Sequence, residues 1–379
     1  MKIIISGGGT GGHIFPAISI ANAIKDLDGN ASILFVGAEG RMEMERVPAA
    51  GYEIEGIPAR GLKRPLYNPS NLFIAIDYIK CLFKAKKILK RFGPDLVVGV
   101  GGYASAAIVA AAAKRGIPVL LQEQNSFAGL VNRKNGKSAR MICVAYEGME
   151  RFFPKEKIAI TGNPVRSDII RSAPGQREEG LKFYSLSPEK RTVFVVGGSL
   201  GCRTLNECMK REIESGSLFN GNEQSVQLIW QCGKYYKAET DAFMKGRECR
   251  GIYYTDFIRR MDLAYAAADI VISRAGAGTI SELAIAGKAA IFVPSPIVAE
   301  DHQTHNAMSL VKKGAAAMVK DAEAQQKLIP LVKELLSNEK ERRVFEENIL
   351  KSAKPDAAKR IAEYCIELVK GDKPHKERV

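Results

Sequence analysis

Short β-branched apolar runs recur along this chain, each followed by a segment whose apolar residues return at helical spacing. The runs are KIIIS, SILFVG, DLVVGVGG, IPVLLQ and KIAITG, then TVFVVGG, VQLIWQ, DIVISR and AAIFVP. Strands alternating with helices predict an α/β protein whose sheets are parallel and joined by right-handed crossovers. Two of the runs end in glycine and open directly into a helix, IIISGGGTGGHIFPAISIANAI and VFVVGGSLGCRTLNECM. The repetition predicts two Rossmann-like domains in succession. Between them GNPVRSDIIRSAPGQREEGLKFYSLSPEKR carries proline, glycine and charge without sustained periodicity, which places a boundary near Asn163. We therefore expect one domain over 1–163 and a second over 164–355. A last helical segment follows Pro355 over 356–372, a candidate to cross back and complete the first domain, and DKPHKERV is a frayed polar tail.

Length agrees with two domains, since 379 residues exceed what one hydrophobic core usually supports. Apolar residues make up 46% and charged residues 26%, the balance of a folded chain with ample core. The first apolar run is too short for a signal peptide, and no stretch reaches the roughly 18 apolar residues of a membrane span. A soluble or peripheral protein is expected. The seven cysteines are scattered without a C-x-x-C pair, which speaks against disulfides or zinc and for a reducing cytoplasm. A formal charge of +14 favours anionic partners such as nucleotide diphosphates, acidic lipid headgroups or nucleic acid. Nucleic acid is not expected, because no aromatic RNA motif, helix-turn-helix pattern or zinc spacing accompanies the charge.

The glycines carry the chemistry. GGGTGGH places five glycines within residues 7–12. Glycine lets a phosphate or sugar approach the backbone, and amides at a helix N-terminus attract anions. Gly7, Gly9 and Gly12 also satisfy G-x-G-x-x-G, with Glu39 after the next strand, so an NAD-dependent oxidoreductase is an alternative. His13, just past the loop, reads either as a general base near neutral pH or as a packed turn residue. In SRAGAGTISELAIAG, Thr279 and Glu282 have capping-box spacing, while the Glu282 carboxylate equally suits the two hydroxyls of a ribose. The cluster Asp301, His302, Gln303, His305 and Asn306 suits sugar hydroxyls. Its two histidines lack a third ligand, so no metal and no other cofactor is expected. Asp26 and Asp28, the chain's D-x-D, read as a solvated turn.

Taken in order, GGGTGGHIFPA, GGYAS, QEQN, GNPVR, GGS, SRAGAGTISE and DHQTHNA resemble the MurG family, the transferases that convert lipid I to lipid II in bacterial peptidoglycan synthesis. The resemblance implies a GT-B fold, two Rossmann-like domains whose parallel sheets face a central cleft. It implies a peripheral enzyme on the cytoplasmic face of the cell membrane that moves N-acetylglucosamine from UDP-N-acetylglucosamine to the undecaprenyl-linked acceptor with inversion. Other cell-wall synthesis proteins would be its protein partners. Donor contacts would come from Arg166, Ser199, Ile258, Ala277, Gly278, Thr279, Ile280, Ser281 and Glu282, with Gln303 reading the sugar. Thr10, Gly11, Gly12 and Asn125 would contribute from the first domain. For the base His13 comes first and Glu123 second, because Gln122 stands where many members have histidine and an amide does not exchange protons near pH 7.

A lipid acceptor calls for a membrane contact. NLFIAIDYIKCLFKAKKILKRF sets Leu72, Phe73, Ile76, Ile79 and Phe83 at helical spacing beside Lys80, Lys84, Lys86, Lys87, Lys90 and Arg91, a pattern that suits an anionic membrane surface. A crossover helix packed on the sheet with solvated lysines has the same pattern. Three other functions remain open: a sugar transferase acting on another lipid, the NAD enzyme, and a non-catalytic nucleotide-sugar binding or scaffold protein.

Overall fold

Every apolar run named above becomes a strand in the computed structural model, which describes residues 1–9, 11–61, 70–166, 169, 175–198, 200–218, 226–247 and 250–371. The chain divides into two units, Met1–Arg166 with Lys354–Val379, and Ser167–Ala353. In the first, β1 (Lys2–Gly7), β2 (Ser32–Ala38), β3 (Glu53–Ile57), β4 (Leu96–Gly101), β5 (Val119–Glu123), β6 (Met141–Val144) and β7 (Ile158–Ile160) form a parallel sheet in the order β3-β2-β1-β4-β5-β6-β7. In the second, β8 (Arg191–Val196), β9 (Val226–Gln231), β10 (Ile252–Thr255), β11 (Ile270–Ser273), β12 (Ala290–Phe292) and β13 (Ala317–Met318) follow the order β10-β9-β8-β11-β12-β13. Each is a doubly wound sheet, reversing direction beside its first strand, where such folds bind ligands.

Four strands have no counterpart among the apolar runs. Both β3 and β10 are sheet-edge strands and only partly buried, so EIEGI carries two glutamates and IYYT two tyrosines in place of an apolar run. Their neighbours supply the pairing that their own sequences do not announce. The other two, MICV and AM, are four and two residues long, too short for periodicity to register.

Alternation along β1 divides the first unit's core. Ile3 and Ile5 face the helix Gly11–Leu27, whereas Ile4 faces the helices Ser70–Phe92 and Ala106–Lys114. The C-terminal helix Ala357–Lys370 joins the first of these layers, burying Ile361, Tyr364, Cys365 and Leu368 beside Ile20 and Ile24. Each large apolar side chain so buried contributes about 1.5–3 kcal/mol, which is why a segment separated in sequence returns to this unit. In the second unit Trp230 is fully buried, its Nε1 donating to Asn206 Oδ1 at 2.9 Å. The six described cysteines are buried free thiols, and Cys249 lies outside the described residues. Among the described residues no helix is long and apolar enough to cross a membrane.

Opposite the strands' carboxyl ends, the second unit holds a compact charge cluster. Asp269 accepts from Arg177 Nη2 at 3.0 Å, Arg191 Nη1 at 3.2 Å and the Thr192 amide at 2.7 Å. Nearby, Lys288 Nζ donates to the carbonyls of Ala266 and Ala268 at 3.3 and 3.1 Å, and burial pushes its pKa down to about 8. An ammonium whose pKa is lowered by folding weakens the fold while both states are protonated, and that cost disappears as pH rises above the folded value. The stability of wild type relative to Lys288→Met is therefore expected to rise by about 2 kcal/mol between about pH 7 and about pH 10. Urea unfolding at each pH measures it, and a pH-independent difference would show that Lys288 titrates normally.

Candidate functional site

The carboxyl ends of β8 to β12 carry the loops singled out in the second unit. After β8 the chain turns at Gly197 and Gly198, with φ at Gly198 of +89°. A Cβ on Gly197 would overlap Cys202, but no described residue lies within 4 Å of where a Cβ on Gly198 would point. After β11, Gly276 is the N-cap of the helix Ala277–Ala286 and brings no side chain to its first amides. Around Gly278 the space is likewise open to 4 Å. Two backbone segments of this unit, one on a glycine turn and one on a helix N-terminus, thus present uncovered surface suited to an anion.

Partly buried and buried polar side chains hold these loops to each other. Arg274, the residue after β11, donates through Nη1 to the carbonyls of Val293 and Pro294 beyond β12, at 2.8 and 3.0 Å, and pairs with Asp321. The other Asp321 oxygen accepts from Thr204 Oγ1 at 3.0 Å, on the helix that follows the β8 loop. Asn306, fully buried, donates to the Ala275 carbonyl at 3.4 Å. The motifs SRAGAGT and DHQTHNA, some thirty residues apart, are one assembly.

Glu282 is not half of a capping box. Its helix starts at Gly276, and Glu282 Oε2 accepts from the hydroxyl of Tyr265 at 2.9 Å, whose ring is buried edge-on to Phe194. The carboxylate is instead tied to the neighbouring helix through Tyr265. Of the neighbouring residues, Ile280 is buried, and Ser281 Oγ donates to its own helix at Ala277 O, 3.0 Å away. Ile258 is also buried, its amide donating to Gln231. Gln303 Oε1 accepts from the Ser295 amide at 2.9 Å, just after Glu300 and Asp301, which both adopt left-handed backbone at φ of 57° and 49°. Ser199 and Thr10 lie outside the described residues.

In the first unit the glycines have a different explanation. Glu43, fully buried, accepts the Gly9 amide on both carboxylate oxygens, at 3.1 and 3.2 Å, and the Ala38 amide at 3.0 Å. A Cβ on Gly8 would stand 2.1 Å from Glu43 Oε1, and one on Gly9 2.8 Å from the Tyr103 ring. Gly8 and Gly9 are small because an internal carboxylate and an aromatic ring occupy the space. His13, in the first turn of the helix Gly11–Leu27, sets its imidazole against the backbone of Gly101 and Gly102. Glu39, the acid of the NAD alternative, is exposed and paired with Lys84 at 2.7 Å.

The QEQN segment ends β5. Glu123 is 2% exposed, and its oxygens accept from the amides of Asn125 and Gly129 and the Nδ2 atoms of Asn125 and Asn132, at 2.9–3.4 Å. Burial pushes its pKa up, and those donors counter part of the effect. Gln122, fully buried, donates to Asn163 Oδ1 at 3.1 Å, and Asn163 in turn donates to the Gln124 carbonyl at 3.0 Å. QEQN and GNPVR therefore meet through amides. Arg166 is the last residue of the first unit's long segment.

The helix Ser70–Phe92 has two apolar faces. Cys81, Ala85, Ile88 and Leu89 are buried against the sheet, while Ile76, Ile79 and Phe83 are exposed, Phe83 at 69%. Lys80, Lys84, Lys86, Lys87, Lys90 and Arg91 are all exposed around them. The side chains of Leu72 and Phe73 lie outside the described residues.

Sequence reading missed Glu43, Tyr265, Gln231 and Arg274. Tyr103 stood in a quoted motif without a role. Each acts on residues far away in the chain, and only Tyr103 and Arg274 sat inside a glycine motif that could have drawn attention to them.

Comparison with known proteins agrees with this geometry. The model of the glycosyltransferase family 28 N-terminal domain matches residues 3–144, and that of the family 28 C-terminal domain matches residues 192–361. A Bacteroides fragilis protein named UDP-N-acetylglucosamine--N-acetylmuramyl-(pentapeptide) pyrophosphoryl-undecaprenol N-acetylglucosamine transferase is 50% identical over 369 residues, covering 97% of this chain and 96% of its own. A Cytophaga hutchinsonii protein of the same name is 50% identical, covering 98% of both chains. The crystal structure of Acinetobacter baumannii MurG superposes with a TM-score of 0.75 at 27% identity, covering 97% of this chain and 99% of its own. With a model of the family matching each half and relatives at half identity over nearly the whole length, this chain belongs to glycosyltransferase family 28 and, within it, to the MurG transferases.

Proposed function

We propose that this protein transfers N-acetylglucosamine from UDP-N-acetylglucosamine to the C4 hydroxyl of the muramoyl sugar of undecaprenyl-pyrophosphoryl-N-acetylmuramoyl-pentapeptide, with inversion at the anomeric carbon. The observation that carries this reading is half identity over 97% of the chain to proteins named for that reaction. In an inverting displacement the acceptor oxygen bonds to the anomeric carbon as the bond to UDP breaks on the opposite face, and the hydroxyl proton passes to a base. Charge then grows on the departing diphosphate, where amides already oriented toward it are most effective.

The open backbone at Gly198 and Gly278 supports the β8 and β11 loops as the donor's holders, with Ser199, Ile258 and the segment Ala277 to Glu282 at the nucleotide. Glu282 takes the ribose hydroxyls, its carboxylate oriented by Tyr265. Gln303 reads the sugar, its amide carbonyl already held by Ser295. Arg166, Asn125 and the residues Thr10, Gly11 and Gly12 complete the donor contacts.

For the base we assign His13, because a neutral imidazole accepts a proton near pH 7 and this one follows the first glycine loop. Glu123 has another task. With four donors on its buried oxygens, it braces the loop from Asn125 to Gly129. The acceptor's lipid places the protein at an anionic membrane surface, and the exposed Ile76, Ile79 and Phe83 among six cationic side chains support the helix Ser70–Phe92 as the contact.

The reaction is tested by transfer of radiolabelled sugar from UDP-N-acetylglucosamine to a soluble-tailed lipid I analogue, with a diacylglycerol acceptor as control and chelator present. Product on the lipid I analogue alone is the expected outcome, and product only on diacylglycerol would reassign the acceptor. In that assay His13→Ala should lower kcat by about 10²–10⁴-fold with an unchanged melting temperature. Glu123→Gln should instead lose about 2 kcal/mol of stability, because its new amide faces donors. If His13→Ala keeps full turnover, His13 is not the base. Phe83→Glu should weaken sedimentation with vesicles containing phosphatidylglycerol while leaving turnover on the soluble acceptor intact, and unchanged sedimentation would remove this helix from the membrane contact.

A further inference from the structure

Gln231 is the last residue of β9, which lies between β8 and β10, and is 3% exposed. Its side-chain amide reaches in both directions. Nε2 donates to the Gly198 carbonyl at 2.9 Å, in the loop that leaves β8. Oε1 accepts the Ile258 amide at 3.3 Å, in the loop that leaves β10. Both neighbouring strands have ended by these points, β8 at Val196 and β10 at Thr255, so the sheet's own ladder no longer aligns the two segments.

One side of this bridge needs restraint more than the other. Gly198 has a positive φ, no described residue within 4 Å of its Cβ position and the conformational freedom of glycine, and within the turn its carbonyl accepts the Gly201 amide at 2.9 Å. Gly201 is held from the far side, crossing so close to Gly233 that a Cβ there would overlap. The turn's internal bond closes it on itself, and the Gln231 amide, donating to the same Gly198 carbonyl, is what ties the closed turn to β9. The two partners also orient the amide, since one is an acceptor and the other a donor.

We infer that Gln231 is a positioning residue for the nucleotide donor, tying the loop that meets the diphosphate to the loop that meets the nucleoside so that both stand in place before the donor arrives. The inference rests on the reading of the β8 and β10 loops as donor contacts. A loop that must be ordered by its ligand binds it more weakly than one ordered beforehand, so losing the tie costs donor affinity while leaving the acceptor side untouched.

Calorimetric titration of the full chain with uridine, UMP and UDP tests both levels. Wild type should bind UDP at least tenfold more tightly than UMP. If it binds UMP and UDP equally, the β8 loop does not hold the diphosphate, and the reading falls together with the inference. Gln231→Glu keeps an oxygen for Ile258 but offers no donor to Gly198. It should lose most of the gain from UMP to UDP while binding uridine within about threefold of wild type. Gln231→Met, which fills the space and makes neither bond, should weaken uridine as well as UDP. Both variants should raise the KM for UDP-N-acetylglucosamine about tenfold or more, with the acceptor KM unchanged. A wild-type gain from UMP to UDP that either folded variant retains, whatever happens to its melting temperature, would overturn the inference and leave the donor-loop reading standing.

Discussion

Where a parallel strand ends, its backbone groups lose their ladder partners, and the loop that follows must be held by something else. This protein meets that constraint with buried polar side chains at almost every strand end that matters. Glu43 accepts the amides of Gly9 and Ala38, Glu123 those of Asn125 and Gly129, and Gln231 joins Gly198 to Ile258. The partly buried Arg274 joins the ends of β11 and β12, and buried Asn306 ties the helix His302–Val311 to the residues after β11. Each bond is modest by itself, but leaving a buried partner unsatisfied is expensive, so these bonds favour one arrangement of the loops.

The two glycine loops solve different problems with the same residue. In the first unit Gly8 and Gly9 make room for Glu43 and Tyr103, and the close approach that excludes a side chain there is internal. In the second unit Gly197 and Gly201 are likewise crowded from inside, by Cys202 and Cys232, while no described residue lies within 4 Å of the Cβ positions of Gly198 and Gly278. A glycine fingerprint therefore marks close approach without saying to what.

The helix Ser70–Phe92 shows why two readings of one amphipathic segment need not exclude each other. Cys81, Ala85, Ile88 and Leu89 share one face and pack on the sheet, while Ile76, Ile79 and Phe83 share another and stand in solvent among lysines. A helix wide enough to bury one stripe still has surface for a second.

The sequence by itself determined the class of fold, the succession of two doubly wound units and the family, because long apolar runs, glycine turns and helical periodicity are local signals, whereas the return of the last helix to the first unit is a long-range contact that the tertiary structure decided. It did not announce the partly buried edge strands β3 and β10, whose pairing comes from neighbours, nor the very short β6 and β13. That Thr279 and Glu282 do not form a capping box was also beyond it, since Gly276 caps that helix and Tyr265, which holds the Glu282 carboxylate, sits on another helix. Glu43 and Gln231 were invisible for the same reason: a buried carboxylate or amide has meaning only through the strand ends it reaches. Tertiary structure alone brings those ends together, and hydrogen bonding over about 3 Å decides what each polar residue is for.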